Sequence, residues 1–215
     1  MLPRLASHAR PPGDAAPGCT PWLTDVDNQR PAGATLGATV HDGLLELSST
    51  GDGQGTCGSA IEPCTAVKVY TSAGLVGDFD AVLEVESVEG GTTFGGVDFF
   101  VTNGFAANTE LIIAGTEHGA NLQWRHGNTS WSAAASTTRA TLRLHRVGTT
   151  LTATGTAGTV VLEQSAFASG DLQLGIGLRE GTSAAITGRI TDLTVDGGGG
   201  AVASDGFDCT ANLLP

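Results

Sequence analysis

Apolar and polar residues alternate along most of the chain, and this period of two is typical of β-strands that have one buried face. The clearest stretch is 171–178, where leucine and isoleucine alternate with glutamine and glycine. A similar alternation covers 78–88. Two alternating arms on either side of a Val147-Gly148 turn predict a hairpin over 141–153. Each of these stretches therefore predicts a strand with one side in a hydrophobic core.

Shorter stretches repeat this pattern, and no stretch shows the helical spacing of apolar residues over three turns. The further predicted strands are 44–48, 66–71, 96–102, 110–114, 120–124, 159–163 and 186–195. About ten to twelve strands at short, turn-bounded intervals are typical of an antiparallel sandwich or jelly roll. The predicted fold class is therefore all-β, an antiparallel two-sheet β-sandwich.

The charge of the chain excludes several functions. Asp and Glu total 22 and Lys and Arg total 10, so the net charge of the 215 residues is −12, and Lys68 is the only lysine. We expect no binding to nucleic acid or to anionic membranes, because both associations depend on basic side chains. No apolar run approaches the roughly 20 residues that a membrane-spanning helix needs. A chain of this length can bury a sizeable core by itself.

The composition divides the chain into a central domain and two tails. Residues 1–18 are rich in proline and alanine, and we predict a flexible N-terminal tail there; this stretch lacks the apolar region of a signal peptide. A β-sandwich domain is predicted over 19–196. Residues 197–215 begin with four glycines and are predicted to be a linker and a C-terminal tail that contains Cys209.

The four cysteines, Cys19, Cys57, Cys64 and Cys209, allow three disulfide pairings. We favour Cys57–Cys64, whose members are close in the sequence, together with Cys19–Cys209, whose members enclose the domain. Their spacing differs from the paired CxxC motifs of zinc sites. The alternative is four unpaired cysteines in the core. Disulfides indicate an oxidising compartment, so we expect an extracellular or cell-surface protein.

Seven segments, taken in their order along the chain, resemble a known superfamily. They are the region of Trp22, the strand 43–47, GDFD at 77–80, the Gly-Gly-Val strand 95–101, LRLHRVGTTLTA at 142–153, GDLQLGIGL at 170–178 and the last strand 186–195. This order resembles the concanavalin A-like lectin/glucanase superfamily, which includes laminin G-like domains. GDFD and the arginine-rich hairpin are the most specific parts of the resemblance.

The resemblance implies a jelly roll of two large, curved antiparallel sheets, with a concave face that often binds polysaccharides or glycans. It also implies that the first and last strands are neighbours, which fits a Cys19–Cys209 bond. Lectins, binding modules and glycoside hydrolases all share this fold, so the fold alone does not choose among their functions.

Glu84, Glu86 and Glu89 form the arrangement most similar to a catalytic site. Residues two apart on a strand share a face, and retaining glycosidases use two carboxyl groups about 5 Å apart. The spacing resembles the E-x-D-x-x-E motif of family-16 glucanases. However, the middle residue is Glu86 rather than Asp, and the aromatic residues expected beside the motif are missing. The alternative is a solvated polar face, and we predict no catalytic residue.

Aromatic and polar residues cluster shortly after Glu117-His118. They are Trp124, Arg125, His126, Asn128 and Trp131. Sugars stack their C–H faces on flat aromatic rings while amides and charged groups bind their hydroxyls, and Trp and Arg are also frequent in protein-binding hot spots. We predict that these five residues bind a ligand. The alternative is that one tryptophan lies in the core and the other caps a loop.

Two groups of acidic residues offer oxygen ligands of the kind that calcium binds. They are Asp25, Asp27 and Asn28, and separately Asp78 and Asp80. Neither group completes an EF-hand loop, and turn residues that bond their own backbone are the alternative. We predict no metal and no cofactor, and a structural calcium ion at Asp25 and Asp27 is the alternative.

Together these observations predict a secreted or cell-surface, non-catalytic β-sandwich that binds carbohydrate, such as a cell-surface glycan, in the manner of a lectin. The first alternative is a structural subunit of an extracellular fibre, coat or appendage, in which the chain associates with itself. The second alternative is a glycoside hydrolase that acts through Glu84 and Glu89.

Overall fold

The computed structural model describes residues 22–26, 34–50, 64–90, 96–102, 111–115, 119–123, 139–155, 158–163, 172–180, 185–200 and 205–214. Within these residues the chain forms 14 strands and a short 3₁₀ turn at Gly198–Gly200. In chain order the strands are β1 (Trp22–Val26), β2 (Leu36–His41), β3 (Leu44–Ser49), β4 (Cys64–Leu75), β5 (Phe79–Gly90), β6 (Gly96–Thr102), β7 (Leu111–Gly115), β8 (Gly119–Gln123), β9 (Ala140–Val147), β10 (Thr150–Gly155), β11 (Gly158–Glu163), β12 (Leu172–Glu180), β13 (Ile186–Gly197) and β14 (Ala211–Asn212).

The strands form two sheets that cover each other. The six-stranded sheet has the order β1-β4-β12-β6-β7-β8, and the eight-stranded sheet has the order β11-β10-β9-β5-β13-β3-β2-β14. Every pair of neighbouring strands is antiparallel. The predicted antiparallel two-sheet β-sandwich is therefore confirmed. No helix among the residues described above has the length and apolar character needed to cross a membrane.

The hydrophobic core lies between the sheets, because alternate residues of each central strand point inward. Leu83 and Leu142 of the eight-stranded sheet are fully buried there, and they share one core with Phe99 and Ile176 of the six-stranded sheet. These inward positions are the apolar members of the alternating stretches. The period of two in the sequence therefore identifies the inner face of each sheet.

Strands β3 to β13 coincide with predicted strands to within a few residues. Three strands of the described part of the chain, β1, β2 and β14, lie outside the prediction. The alternation in β2 is weak because Gly37 and Ala38 interrupt it, and β14 has only two residues. β14 exists because Ala211 and Asn212 pair with β2, which is a tertiary contact that local alternation does not encode.

The two most specific motifs of the resemblance contact each other. Arg146, at the end of β9, donates from Nε to the backbone carbonyl of Gly77, and its guanidinium carbon lies 5.2 Å from the centre of the Phe79 ring. Asp78 Oδ1 accepts a hydrogen bond from the backbone N–H of Gly148 at 2.7 Å. GDFD and the arginine-rich hairpin therefore form one structural unit at this end of the sandwich.

Residues 205–214 pack on the sandwich, although the sequence predicted a linker and tail over 197–215. Phe207 is fully buried in the core, and its ring stacks on Trp22 of β1 with centroids 6.1 Å apart. Asp205 accepts from Trp22 Nε1 at 2.9 Å, and its backbone pairs with Leu193 of β13. The packed domain therefore extends beyond residue 196, because a buried aromatic side chain follows the glycines.

Most of the cysteine side chains in the predicted disulfides lie outside the described part of the chain. Cys209 is disulfide-bonded and packs against the core. Cys19 and Cys57 lie outside the described residues, as does the side chain of Cys64. The pairings Cys19–Cys209 and Cys57–Cys64 therefore stay predictions. Residues 1–18, the predicted N-terminal tail, also lie outside the described residues.

Candidate functional site

The outward side of the eight-stranded sheet carries charged side chains that bind one another. We call it the charged face, and it is defined by Asp80, Glu84, Glu89, Arg143 and Arg189. Glu84 accepts a hydrogen bond from the Thr141 hydroxyl at 2.8 Å. Arg189 forms ion pairs with both Glu46 and Glu89. The hydrogen bond that Arg189 donates to Glu46, together with the charge of Glu89, raises the pKa of Arg189.

The structure places the three glutamates of the catalytic hypothesis on this face. Glu84 and Glu86 are two apart on β5 and point outward. A register shift near Glu86 turns Val88 toward the core and leaves Glu89 pointing outward again. Glu84 and Glu89 are therefore on one face, as the hypothesis required. However, each of them binds a neighbouring side chain of the sheet, which is the arrangement expected for a scaffold face.

A bidentate pair joins Asp80 of β5 to Arg143 of β9. Arg143 Nε donates to Asp80 Oδ1 at 2.7 Å, and Nη2 donates to Oδ2. This hydrogen bonding, assisted by the charge of Arg143, lowers the pKa of Asp80 below its ordinary value of 3.8. The ionised form of Asp80 is therefore favoured by folding.

We expect Asp80→Asn to lower the free energy of unfolding at pH 7 by less than about 1 kcal/mol, because the pair is half-exposed. The stabilisation from a carboxyl with a lowered pKa is complete above its unfolded pKa and is lost as the pH falls through its folded pKa. The difference between wild type and variant should therefore close below pH 4. Urea unfolding at pH 7 and at pH 2.5 measures it, and a difference that widens in acid would contradict the assignment.

The outward side of the six-stranded sheet has a different character. Tyr70 and Phe100 are 4% and 3% exposed, yet neither belongs to the core between the sheets. Strand alternation places them on the opposite side from Val69 and Phe99, which do belong to that core. These two aromatic side chains are therefore buried on the outward side of the sheet.

Polar residues share this side with the two rings. Asp98, Phe100 and Thr102 occupy alternate positions of β6 and so form a polar–aromatic–polar column, with successive positions about 6.7 Å apart. Lys68 and Tyr70 occupy the matching positions of β4. We call this surface, defined by Lys68, Tyr70, Asp98, Phe100 and Thr102, the Phe100 face.

Glycines of β12 separate the two sets of side chains. Gly175 pairs with Tyr70 on one side and with Phe100 on the other, and Gly177 pairs in the same way with Lys68 and Asp98. A Cβ on Gly175 would lie against Phe100 Cζ and only 2.6 Å from its Cε2. The tip of the Phe100 ring therefore lies over Gly175, in space that any side chain there would fill.

A β-bulge in β4 adjoins Tyr70. The pairing of β12 with β4 passes from Gly175–Tyr70 to Gln173–Gly74, so three residues of β4 lie opposite Leu174. The Thr71 hydroxyl stabilises the bulge, because it accepts from the backbone N–H of Leu174 at 3.3 Å and donates to the Ala73 carbonyl at 2.8 Å. Bulges bend a strand and redirect side chains, and they are frequent beside functional sites.

The side chains of the Phe100 face are already engaged within the chain. Asp98 is 2% exposed and Thr102 is 1% exposed. Lys68, Tyr70, Asp98, Phe100 and Thr102 all interact with other groups of the chain. A ligand on this face would therefore replace existing contacts rather than fill an open groove.

The residues predicted to bind a ligand lie outside the described residues; they are Trp124, Arg125, His126, Asn128 and Trp131. The segment that contains them begins directly after β8, the edge strand of the six-stranded sheet. Of the predicted calcium ligands, Asp27 also lies outside the described residues. Asp25 is described only as a backbone position of β1, paired with Lys68. No group of three His, Cys, Asp or Glu side chains in the described ranges is arranged to hold a metal ion.

Comparison with known proteins places the chain by its fold. No protein-family profile matches the sequence, and no curated protein matches it. A solved structure described as a β-glucanase from Mycobacterium abscessus is similar over 83% of this chain and 94% of its own, with a TM-score of 0.50 and 11% identity.

Two other solved structures have lower TM-scores. A legume lectin-like domain from Entamoeba histolytica covers 76% of this chain and 89% of its own, with a TM-score of 0.49 and 11% identity. The alginate lyase AlgAT5 of polysaccharide lyase family 7 covers 74% and 82%, with a TM-score of 0.48 and 10% identity. At such identities the likeness concerns the fold alone, which is the concanavalin A-like sandwich predicted from the sequence.

Proposed function

We propose that this chain is a secreted or cell-surface, non-catalytic module that binds carbohydrate on its Phe100 face. The observation that carries the proposal is the column Asp98–Phe100–Thr102 on the outward side of a sheet whose other side forms the core. An aromatic ring between two polar groups suits a sugar, because its C–H face stacks on the ring while its hydroxyls reach the polar groups on either side.

The dimensions of the column support this role. Asp98 and Thr102 are each about 6.7 Å along the strand from Phe100, a separation that suits one pyranose ring lying over the phenyl group. Asp98 accepts from sugar hydroxyls, and Thr102 both accepts and donates. Tyr70 lies across Gly175 from Phe100 and offers a second ring with a hydroxyl.

The contrast between the two outward faces supports a binding role over a hydrolytic one. Glu84, Glu86 and Glu89 lie on the charged face, on the far side of the core from Asp98 and Phe100. Glu84 and Glu89 have partners there. The fold of a β-glucanase is compatible with either activity, and only the side chains discriminate between them.

Further parts of the proposal rest on the sequence. Trp124, Arg125, His126, Asn128 and Trp131 are proposed as further ligand contacts because of their residue types and spacing. Disulfides Cys19–Cys209 and Cys57–Cys64 suit an extracellular location. Binding requires no cofactor, and the partner is a polysaccharide or a cell-surface glycan.

Burial of the Phe100 face has a kinetic consequence for the proposed function. The ligand must displace chain atoms from side chains that are 1–4% exposed. Binding that requires such a rearrangement has a lower association rate constant than the roughly 10⁵–10⁷ M⁻¹s⁻¹ that is usual for preformed protein interfaces.

We expect Asp98→Asn to weaken binding by about ten- to a hundredfold, because it removes a charged hydrogen-bond acceptor worth about 1.5–3 kcal/mol. A glycan array identifies a retained polysaccharide, and pull-down on that polysaccharide compares the variants. The matched control is Asp80→Asn, the same substitution on the charged face, which should bind as wild type does. Thermal unfolding of both variants checks that they are folded.

Two outcomes would overturn the proposed function. The first is a wild-type chain that no glycan retains. The second is that folded Asp98→Asn and folded Phe100→Leu variants are both retained as well as wild type. The Phe100 face would then be a second buried layer of the scaffold.

A further inference from the structure

We infer that the Asp42–Gly43 peptide bond is a modification site, at which the folded chain slowly converts Asp42 to isoaspartate. In isoaspartate the main chain continues through the side-chain carboxyl carbon instead of the ordinary carbonyl carbon. The inference is independent of the proposed function. It depends on the turn between β2 and β3, which leaves both reacting groups without a hydrogen bond to hold them.

The turn that joins β2 to β3 has only two residues. His41 pairs with Leu44, so Asp42 and Gly43 lie between the strands. Both have a positive φ, 51° for Asp42 and 76° for Gly43, as a type I′ turn requires. The hydrogen bonds that close such a turn belong to the flanking residues. The peptide group between Asp42 and Gly43 therefore takes no part in the pairing of the strands.

Both reacting groups are accessible and unanchored. The Asp42 side chain is 95% exposed, and its Oδ2 lies 3.7 Å from His41 Nδ1, which is too far for a hydrogen bond. Within the described ranges, no hydrogen bond holds the Asp42 carboxylate or the Gly43 N–H. Because Gly43 has no side chain, its nitrogen is also unshielded from its own residue.

The reaction has two steps and needs only water. The Gly43 nitrogen attacks the side-chain carboxyl carbon of Asp42 in its protonated form, and the carboxyl hydroxyl leaves with the N–H proton as water. The product is a succinimide ring. Water then adds to one of the two ring carbonyls and breaks its bond to nitrogen. Addition at the main-chain carbonyl gives isoaspartate, and addition at the other carbonyl restores aspartate.

The same dipeptide at Asp205–Gly206 is restrained by the fold. One carboxylate oxygen of Asp205 accepts from Trp22 Nε1 at 2.9 Å, and the other accepts from the Phe207 N–H at 2.8 Å. The backbone of Asp205 also pairs with Leu193. The carboxyl group must leave both donors before a ring can close. We therefore expect isomerisation at Asp205 to be at least about tenfold slower than at Asp42.

The third Asp-Gly pair of the described residues lies within a strand. Asp196 and Gly197 of β13 pair with Asp80 and Phe79 of β5. A Cβ on Gly197 would lie only 2.5 Å from the carbonyl oxygen of Asp78, so the two backbones approach closely here. Ring closure needs a rotation of the peptide group, which would break this pairing. Isomerisation at Asp196 should therefore also be slower than at Asp42.

Isomerisation would alter the strands that the turn connects. Isoaspartate adds one methylene to the main chain of a two-residue turn. The adjoining pair, Val40 and Leu45, is buried in the core, and Val40 also pairs with Ala211 of β14. A longer turn no longer fits this register. Amide hydrogen exchange in β2 and β14 should therefore be faster in the isomerised chain than in the fresh one.

The test incubates the folded full-length chain in water enriched in the heavy isotope of oxygen. Each ring opening inserts one solvent oxygen, and tandem mass spectrometry locates it, with fragments that separate Asp42 from Asp52, which lies outside the described residues. Label should accumulate at Asp42 at least about tenfold faster than at Asp205. Methylation by a protein isoaspartyl methyltransferase measures isoaspartate independently.

Two controls separate the effect of the fold from that of the dipeptide. In concentrated urea the Asp-Gly sites should label at similar rates, because the restraints on Asp205 and Asp196 are gone. The variant Asp42→Asn keeps the turn, since Asn-Gly is favoured in type I′ turns. It should react faster than wild type, because an amide loses ammonia more readily than a carboxyl group loses water.

Contrary outcomes are equally definite. Equal labelling of Asp42 and Asp205 in the folded chain, or no label at Asp42, would overturn the inference. A preference for Asp42 that persists unchanged in urea would also overturn it, because the turn would then not be its cause. Unchanged hydrogen exchange in the isomerised chain would overturn only the effect on β2 and β14.

Discussion

Replacing Phe207 with alanine is expected to lower the free energy of unfolding by about 3–5 kcal/mol, the usual cost of truncating a buried phenylalanine. The ring is fully buried and stacks on Trp22. One carboxylate oxygen of Asp205 accepts from Trp22 Nε1, and the other accepts from the Phe207 N–H. Phe207 also has a φ of 55°, which bulky residues rarely adopt. Alanine would keep that strained backbone and lose the packing that compensates for it.

The matched control is Asp208→Ala, which changes the next residue, an exposed one, and should alter stability by less than about 0.5 kcal/mol. Urea denaturation followed by circular dichroism measures both variants. A loss below about 1 kcal/mol for Phe207→Ala would mean that residues 205–214 are attached to the sandwich without contributing to its core.

The same segment illustrates what the sequence conceals. A run of four glycines suggests the end of a domain, because glycine has no preferred conformation. In the structure β13 ends at Gly197 and the 3₁₀ turn covers Gly198–Gly200, yet Phe207 and Leu214 beyond it are buried. An isolated phenylalanine or leucine in a short stretch has no periodicity, so only the tertiary structure reveals that it packs.

The strands were predictable because their signal is local. Inward and outward side chains alternate with a period of two wherever one face of a strand is buried, and the burial of β3, β5, β9 and β10 shows this alternation. Strand β6 departs from it, because all seven of its residues are buried. A strand that is buried on both faces usually has a continuous run of apolar residues, but β6 contains Asp98. A fully buried aspartate is rare unless it has a partner, so this residue distinguishes β6 from an ordinary core strand.

The candidate site was harder to predict for a physical reason. The spacing of Glu84, Glu86 and Glu89 reveals that they share a strand face, but not what lies across the strand. Thr141, which binds Glu84, is 57 residues away, and Arg189, which binds Glu89, is 100 residues away. Likewise, the neighbours Tyr70, Phe100 and Gly175 belong to three strands, and the pairing of these strands follows from the sheet order rather than from any local motif.

The GDFD motif and the arginine-rich hairpin were recognisable as scaffold features, and their contact leads to the second large effect. Arg146→Met is expected to lower the free energy of unfolding by about 3 kcal/mol. The substitution removes a charged hydrogen bond to the Gly77 carbonyl, worth about 1.5–3 kcal/mol, and a cation–π contact with Phe79, worth about 0.5–2 kcal/mol. Methionine fills much of the volume of the arginine side chain, so the lost stability comes from the polar contacts more than from a cavity.

Burial sets the scale of this effect. The Arg146 side chain is 1% exposed, and this burial lowers the pKa of its guanidinium while the charge of Asp78 opposes the change. The Gly77 carbonyl accepts a hydrogen bond from Arg146 Nε. In Arg146→Met this donor is lost, because methionine cannot donate a hydrogen bond in its place. The loss of a hydrogen bond donated by a charged, buried side chain is more destabilising than the loss of an exposed ion pair.

Arg143→Met provides the matched control, because Arg143 lies on the same strand but points to solvent on the charged face. Its bidentate pair with Asp80 is half-exposed, so its loss should cost at most about 1 kcal/mol. Urea unfolding of the two variants at pH 7 therefore compares one substitution on the two faces of β9. Equal losses would mean that the side of the strand does not matter, and the structural unit formed by GDFD and the hairpin would then contribute no more to stability than an exposed ion pair.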